Sequence, residues 1–137
     1  MRKEIVLQEA KCFNDNNLNV RNCIGIITKL LYLLNQDEKF TDNELESLFF
    51  SITKLFQSTD QELRRMVYLI VKNLNVKSTY SYVITGVLMT DINKNNNMFR
   101  SNSFQILGKI MEISNITILE RFLKNVSIIA LFLGHIG

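Results

Sequence analysis

Apolar residues recur along this chain three and four positions apart, and short polar runs interrupt them at intervals. That spacing predicts about seven helices. The first covers residues 3–13, with Ile5, Val6, Glu9 and Ala10 in step, and stops at the turn-prone run Asn14-Asp15-Asn16-Asn17. The second covers residues 20–34, with Ile24, Ile27, Leu30, Leu31 and Leu34 on its expected buried side. Thr41 followed by Glu44 has the form of a capping box opening a third helix, whose stripe is Leu45, Leu48, Phe49, Ile52, Leu55 and Phe56.

Ser58 or Thr59 is expected to cap the fourth helix, which carries Leu63, Val67, Ile70, Val71 and Leu74. Ser78 or Thr79 opens the fifth, with Tyr80, Val83, Ile84, Val87 and Leu88. Residues 93–97 form the next break, and Asn97 is expected to cap a sixth helix through Phe99, Phe104, Ile106, Leu107 and Ile110. A seventh begins near Asn115 and holds Ile118, Leu119, Phe122 and Leu123. The chain has no proline, so polar caps, glycine and asparagine must end its helices.

A second periodicity lies over the first. The pairs Val20-Arg21, Leu63-Arg64 and Phe99-Arg100 each open a helical stretch, with arginines 43 apart (21 to 64) and 36 apart (64 to 100). Behind them the apolar partners keep matching offsets: Ile24, Ile27 and Leu31; Val67, Ile70 and Leu74; Ser103, Ile106 and Ile110. Repeats of this length built from helix pairs predict an all-α fold, an α-solenoid of HEAT or armadillo type. A three-helix bundle followed by another bundle also accommodates the lengths, but the matched offsets favour stacking. Each pair in such a stack buries its apolar face against the next, and the product is an extended surface suited to holding partners.

The composition agrees. The length of 137 residues suggests one domain, and an apolar share of 47% is that of an ordered protein. Its formal charge of +3 is mild, with Lys and Arg scattered among nearly as many Asp and Glu, so no concentrated basic face points to nucleic acid. The apolar run at residues 5–7 is too short for a signal-peptide core. The apolar stretch at 126–133 falls well short of the ~20 residues a membrane span needs. Cys12 and Cys23 are the two cysteines, and they fit thiols in cytosolic helices better than a disulfide scaffold.

Catalytic chemistry has little to work with. His135 is the single histidine and sits two residues from the end, and neither cysteine has a histidine to activate it. No metal-ligand spacing, cofactor motif or Gly-rich phosphate loop occurs. Gly25, Gly86 and Gly108 are isolated in helical patterns, where close helix contact is the expected reason for them. The acidic residues at helix starts offset the macrodipole. An enzyme is not expected. Arg64 is expected to pair with Asp60 or with carbonyls of the neighbouring repeat. Arg21 and Arg100 would extend this into a structural ladder between repeats, with anion or lipid-headgroup binding as the functional alternative.

The segments Val6-Leu7-Gln8-Glu9-Ala10, Thr28-Lys29-Leu30-Leu31-Tyr32-Leu33-Leu34-Asn35-Gln36 and Thr53-Lys54-Leu55-Phe56-Gln57-Ser58 run on to Leu63-Arg64-Arg65-Met66 and Tyr68. Together they closely resemble the N-terminal trunk of the coatomer gamma-subunit family of the COPI vesicle coat. Phe49-Phe50 and Leu119-Glu120-Arg121-Phe122 resemble it too. The resemblance covers residues 6–124, and the tail at 126–137 departs from the family pattern. It implies an adaptin-like trunk piece of a much longer, non-enzymatic coat subunit acting in Golgi-to-ER and intra-Golgi transport. It further implies a cytoplasmic protein, peripheral on Golgi and vesicle membranes, whose partners are a zeta subunit, other coat subunits and an Arf-type GTPase in its GTP state.

A receptor for an ordered GTPase switch needs apolar residues off its core stripe. Phe50 on the third helix and Tyr82, Thr85 and Met89 on the fifth meet that requirement, with Phe50 and Tyr82 the expected anchors because aromatic residues dominate binding hot spots. Burial of these four against neighbouring helices is the competing expectation. A helical-repeat peptide receptor outside the coat is the alternative function, although the chain lacks the Trp or Asn ladder such receptors carry along their inner helices.

Overall fold

Six helices make up the described part of the molecule. The computed structural model describes residues 1–74 and 78–113, with side chains for 1–74 and 83–110. The helices are α1 (Lys3–Glu9), α2 (Val20–Asn35), α3 (Asp42–Lys54), α4 (Gln61–Asn73), α5 (Ser78–Ile92) and α6 (Asn97–Ile113), and among the described residues there is no strand. Single 3₁₀ turns at Ala10–Asn14 and Leu55–Gln57 extend α1 and α3. The all-α expectation holds. The expected seventh helix and the tail at 126–137 lie outside the described residues.

The chain divides into two units, Met1–Asn75 and Val76–Gly137. In the first, α2 packs on α1 and α4, and α3 packs on α4 and on the 3₁₀ turn after α1. The core of this unit is Val6, Phe13, Ile27, Leu30, Phe49, Ile52, Leu55, Leu63, Val67 and Ile70, each essentially inaccessible to solvent. Complete burial of a side chain of this size contributes about 1.5–3 kcal/mol. In the second unit α5 packs on α6, with Ile84, Leu88, Ile92, Phe99, Ile106, Leu107 and Ile110 buried.

Local chemistry sets the helix ends. At α3 both halves of the expected capping box form: Glu44 N–H donates to Thr41 Oγ1 at 3.1 Å, and Thr41 N–H donates to Glu44 Oε1 at 2.8 Å. The caps of α4 and α6 each fall one residue from the expected positions. Asp60, not Ser58 or Thr59, accepts from Leu63 N–H at 2.9 Å, and Asn96, not Asn97, accepts from Phe99 N–H at 3.1 Å. Both polar runs offer several competent caps in a row, so spacing alone does not choose between them.

The end of α2 is a Schellman motif. Glu38 N–H donates to Leu33 O at 3.1 Å, and Asp37 N–H to Leu34 O at 3.2 Å. The motif puts Asp37 at φ 57°, a left-handed conformation that glycine adopts without strain.

Two expectations about packing need correction. On α2 the buried set is Cys23, Ile26, Ile27, Leu30 and Leu33, while Ile24, Leu31 and Leu34 are only half-buried. Ile5 of α1 is exposed as well. Both helices carry apolar residues beyond one stripe, and the neighbours select which side turns in. The glycines do not serve close helix contact, because a Cβ at Gly25, Gly86 or Gly108 would meet nothing within 4 Å.

Candidate partner-binding surface

A buried arginine fixes the junction between α3 and α4. Arg64 is completely buried on the first turn of α4. Its Nη1 donates to Phe56 O at 2.9 Å and Ser58 O at 3.2 Å, and its Nη2 donates to the Tyr68 hydroxyl at 2.7 Å. The guanidinium lies 5.1 Å from the Phe56 ring centre and 5.3 Å from that of Tyr68, and the two rings meet edge-on at 5.5 Å. The planar fork thus satisfies carbonyls left open where the 3₁₀ turn Leu55–Gln57 ends α3. The Asp60 carboxylate caps α4 instead.

The other two arginines of the repeat are placed differently. Arg21 is exposed on α2, and Arg100 is half-buried with its guanidinium on the side-chain oxygen of Asn97, in its own helix. The three do not share one environment: Arg64 is buried against the junction of α3 and α4, whereas Arg21 faces solvent and Arg100 bonds within its own helix.

Around this frame the first unit exposes large apolar side chains. Phe50 of α3 is 40% exposed, on the opposite side of the helix from Leu48, Phe49 and Ile52. Tyr32 of α2 (53%), Leu69 of α4 (44%) and Ile5 of α1 (54%) are more exposed still. Of these, Phe50 alone was singled out from sequence. The signal for Leu69 was present, since it falls away from the Leu63, Val67 and Ile70 stripe of α4. Tyr32 is hidden inside an unbroken apolar run.

In the second unit Thr85 and Met89 of α5 are half-buried, while Ile84, Leu88, Asp91 and Ile92 form the buried side of that helix. The Tyr82 side chain lies outside the described residues. Phe50 belongs to one unit and Thr85 and Met89 to the other.

Charge on the first unit is bridged between helices. Lys3 Nζ of α1 lies 3.0 Å from Glu44 Oε1, donates to Lys39 O at 2.9 Å and sits over the Phe40 ring. Accepting from the Thr41 backbone, and then from Lys3, holds the Glu44 carboxyl below its ordinary pKa; the Glu44 bond raises that of Lys3. Lys29 of α2 pairs with Glu9 of α1 at 3.1 Å. Among the described residues no three His, Cys, Asp or Glu side chains gather as a metal site, and no helix is long and apolar enough to cross a membrane. What the surface offers chemically is contact: aromatic and aliphatic side chains on a rigid helical frame.

Comparison with known proteins places this frame in a family. Residues 2–126 match the adaptin N-terminal region. Coatomer subunit gamma of Arabidopsis thaliana is 49% identical over 124 residues, which are 90% of this chain and 14% of that protein. Coatomer subunit gamma-1 of Oryza sativa subsp. japonica is 47% identical and coatomer subunit gamma-2 of Homo sapiens 40% identical, both over 124 residues with the same coverage. The chain therefore spans about one seventh of the length of these relatives, 14% in each case.

Proposed function

The chain belongs to the adaptin N-terminal region family, and from that premise we propose that it is a structural piece of a COPI-type coat subunit. It works without making or breaking a bond. Its helices hold a surface on which an activated Arf-type GTPase and neighbouring coat subunits, the zeta subunit among them, assemble. The chain would act in Golgi-to-ER and intra-Golgi transport as a cytoplasmic protein, held at Golgi and vesicle membranes through the coat. The observation that carries this reading is the match to coatomer gamma subunits over 124 residues, 90% of the chain.

Phe50, Tyr82, Thr85 and Met89 are the proposed contact residues for the GTPase, with Phe50 and Tyr82 as anchors. Phe50 is supported by the 40% exposure of its ring, and Tyr82 by the dominance of aromatic residues in binding hot spots. A pull-down against an Arf-type GTPase loaded with GTP or GDP tests the reading. The GTP form should be retained by the wild-type chain, and Phe50→Glu and Tyr82→Glu should each abolish retention while leaving the helical circular dichroism spectrum intact. Retention of both nucleotide forms by wild type would contradict the function, and undiminished retention by both variants would contradict the site.

A further inference from the structure

Two threonines of the first unit carry the same acidic flank. Each is followed at once by an aspartate and three positions on by a glutamate: Thr41-Asp42-Asn43-Glu44 before α3, and Thr59-Asp60-Gln61-Glu62 before α4. The fold gives them opposite surroundings. Thr41 is held by its cap, for its hydroxyl accepts from Glu44 N–H at 3.1 Å, and Glu44 is itself bonded to Thr41 N–H and Lys3. At α4 the cap is Asp60, and the Thr59 hydroxyl is left without a hydrogen bond among the described residues.

Thr59 is exposed and stands between two extended residues, Ser58 at φ −70°, ψ 141° and Asp60 at φ −67°, ψ 123°. Ser58 beside it is half-buried, and its hydroxyl accepts from Asp60 N–H at 3.2 Å. We propose that Thr59 is a phosphorylation site for an acid-directed protein kinase, one whose substrate groove is basic beyond the reacting hydroxyl. Thr59 Oγ1 attacks the γ-phosphorus of ATP. A P–O bond forms to Thr59, the bond from the γ-phosphorus to the bridging oxygen of the β-phosphate breaks, ADP leaves, and the hydroxyl proton passes to the kinase's catalytic base.

Asp60 and Glu62 are both exposed and supply the negative charges that such a groove reads. Docking opens only the first turn of α4, whose N–H groups have no partner within the helix. The phosphate then has a place in the fold. Thr59 lines a cleft of about 620 Å³ together with Lys54, Asn14, Asn16 and Gln57, and Asp15 is the carboxylate in that lining. Lys54 is exposed and holds no carboxylate, so a cation and amide donors are available to the new charge, which also lies at the favourable end of the α4 dipole.

Incubation of the full chain with ATP and casein kinase II, an acid-directed kinase, followed by tryptic mapping, tests the proposal. Trypsin cuts after Lys39, Lys54 and Arg64, so Thr41 falls in the peptide covering residues 40–54 and Thr59 in that covering 55–64, where Ser58 is the other hydroxyl. Wild type should take one phosphate, localised by fragmentation to Thr59. Thr59→Val should take none, and Thr59→Ser should be modified at the same position. Glu62→Gln leaves the cap and the hydroxyl in place and should lower kcat/KM roughly tenfold, the loss of one contact to a charged group. Phosphate on Ser58 or in the 40–54 peptide, an unmodified wild type, or Glu62→Gln modified as fast as wild type would each overturn the proposal.

Discussion

Replacing Arg64 with Met should destabilise the first unit strongly, although it exchanges a buried charge for an apolar side chain of similar length. The substitution leaves the Phe56 carbonyl and the Tyr68 hydroxyl without the donors that reach them at 2.9 Å and 2.7 Å. A buried acceptor left open costs about 1–3 kcal/mol. Two of them give about 2–6 kcal/mol, and release from burying the guanidinium returns part of that. The expected net loss is about 2–4 kcal/mol. In a unit of this size that lowers Tm by roughly 4–8 °C per kcal/mol.

Urea unfolding followed by circular dichroism measures the loss, with Arg21→Met as the exposed control, expected within about 0.5 kcal/mol of wild type. A double-mutant cycle with Tyr68→Phe isolates the Arg64–Tyr68 bond and should give a coupling of about 1 kcal/mol. An Arg64→Met variant as stable as the Arg21→Met control, or more stable than wild type, would refute the reasoning. So would independent additivity of Arg64→Met and Tyr68→Phe.

Three further outcomes follow from the helix ends. Asp37→Gly relieves a left-handed backbone position at φ 57° and should raise stability by about 0.5–1 kcal/mol in thermal unfolding. Asn96→Ala should cost about 1 kcal/mol by removing the cap of α6, whereas Asn97→Ala should stay within about 0.5 kcal/mol, a contrast read from paired denaturation curves. The Glu44 carboxyl titrates below its unfolded value of ~4.3. Its stabilisation is therefore present above that pH and is lost as pH falls through the lower folded value. Glu44→Gln should accordingly lower Tm near neutral pH, and the difference from wild type should shrink on acidification below about pH 4.

The sequence carried most of the helical plan because capping and periodicity are local. Thr41 and Glu44 stand at the three-residue spacing of a reciprocal capping box, which singled out Thr41 from the adjacent Asp42 and Asn43. Ser58-Thr59-Asp60 and the asparagines at 95–97 offer adjacent caps, and tertiary packing makes the choice. The face of α2 was not legible for the opposite reason: apolar residues at 23, 24, 26, 27, 30, 31, 33 and 34 surround the helix, and its neighbours decide which of them turn inward. Burial of Arg64 was half legible. Carbonyl acceptors were foreseen, but their source is a 3₁₀ turn that the apolar pattern runs straight through. The exposed ring of Phe50 was visible as an off-stripe position, while exposure of Tyr32 and Ile5 depends on which helices fail to cover them.

Calorimetric titration of the chain with an Arf-type GTPase, once in its GTP form and once in its GDP form, tests the coat assignment most directly. The account predicts that the GTP form binds at least roughly tenfold more tightly, a difference of about 1.4 kcal/mol. Equal affinity for both forms, or binding of neither, would contradict it.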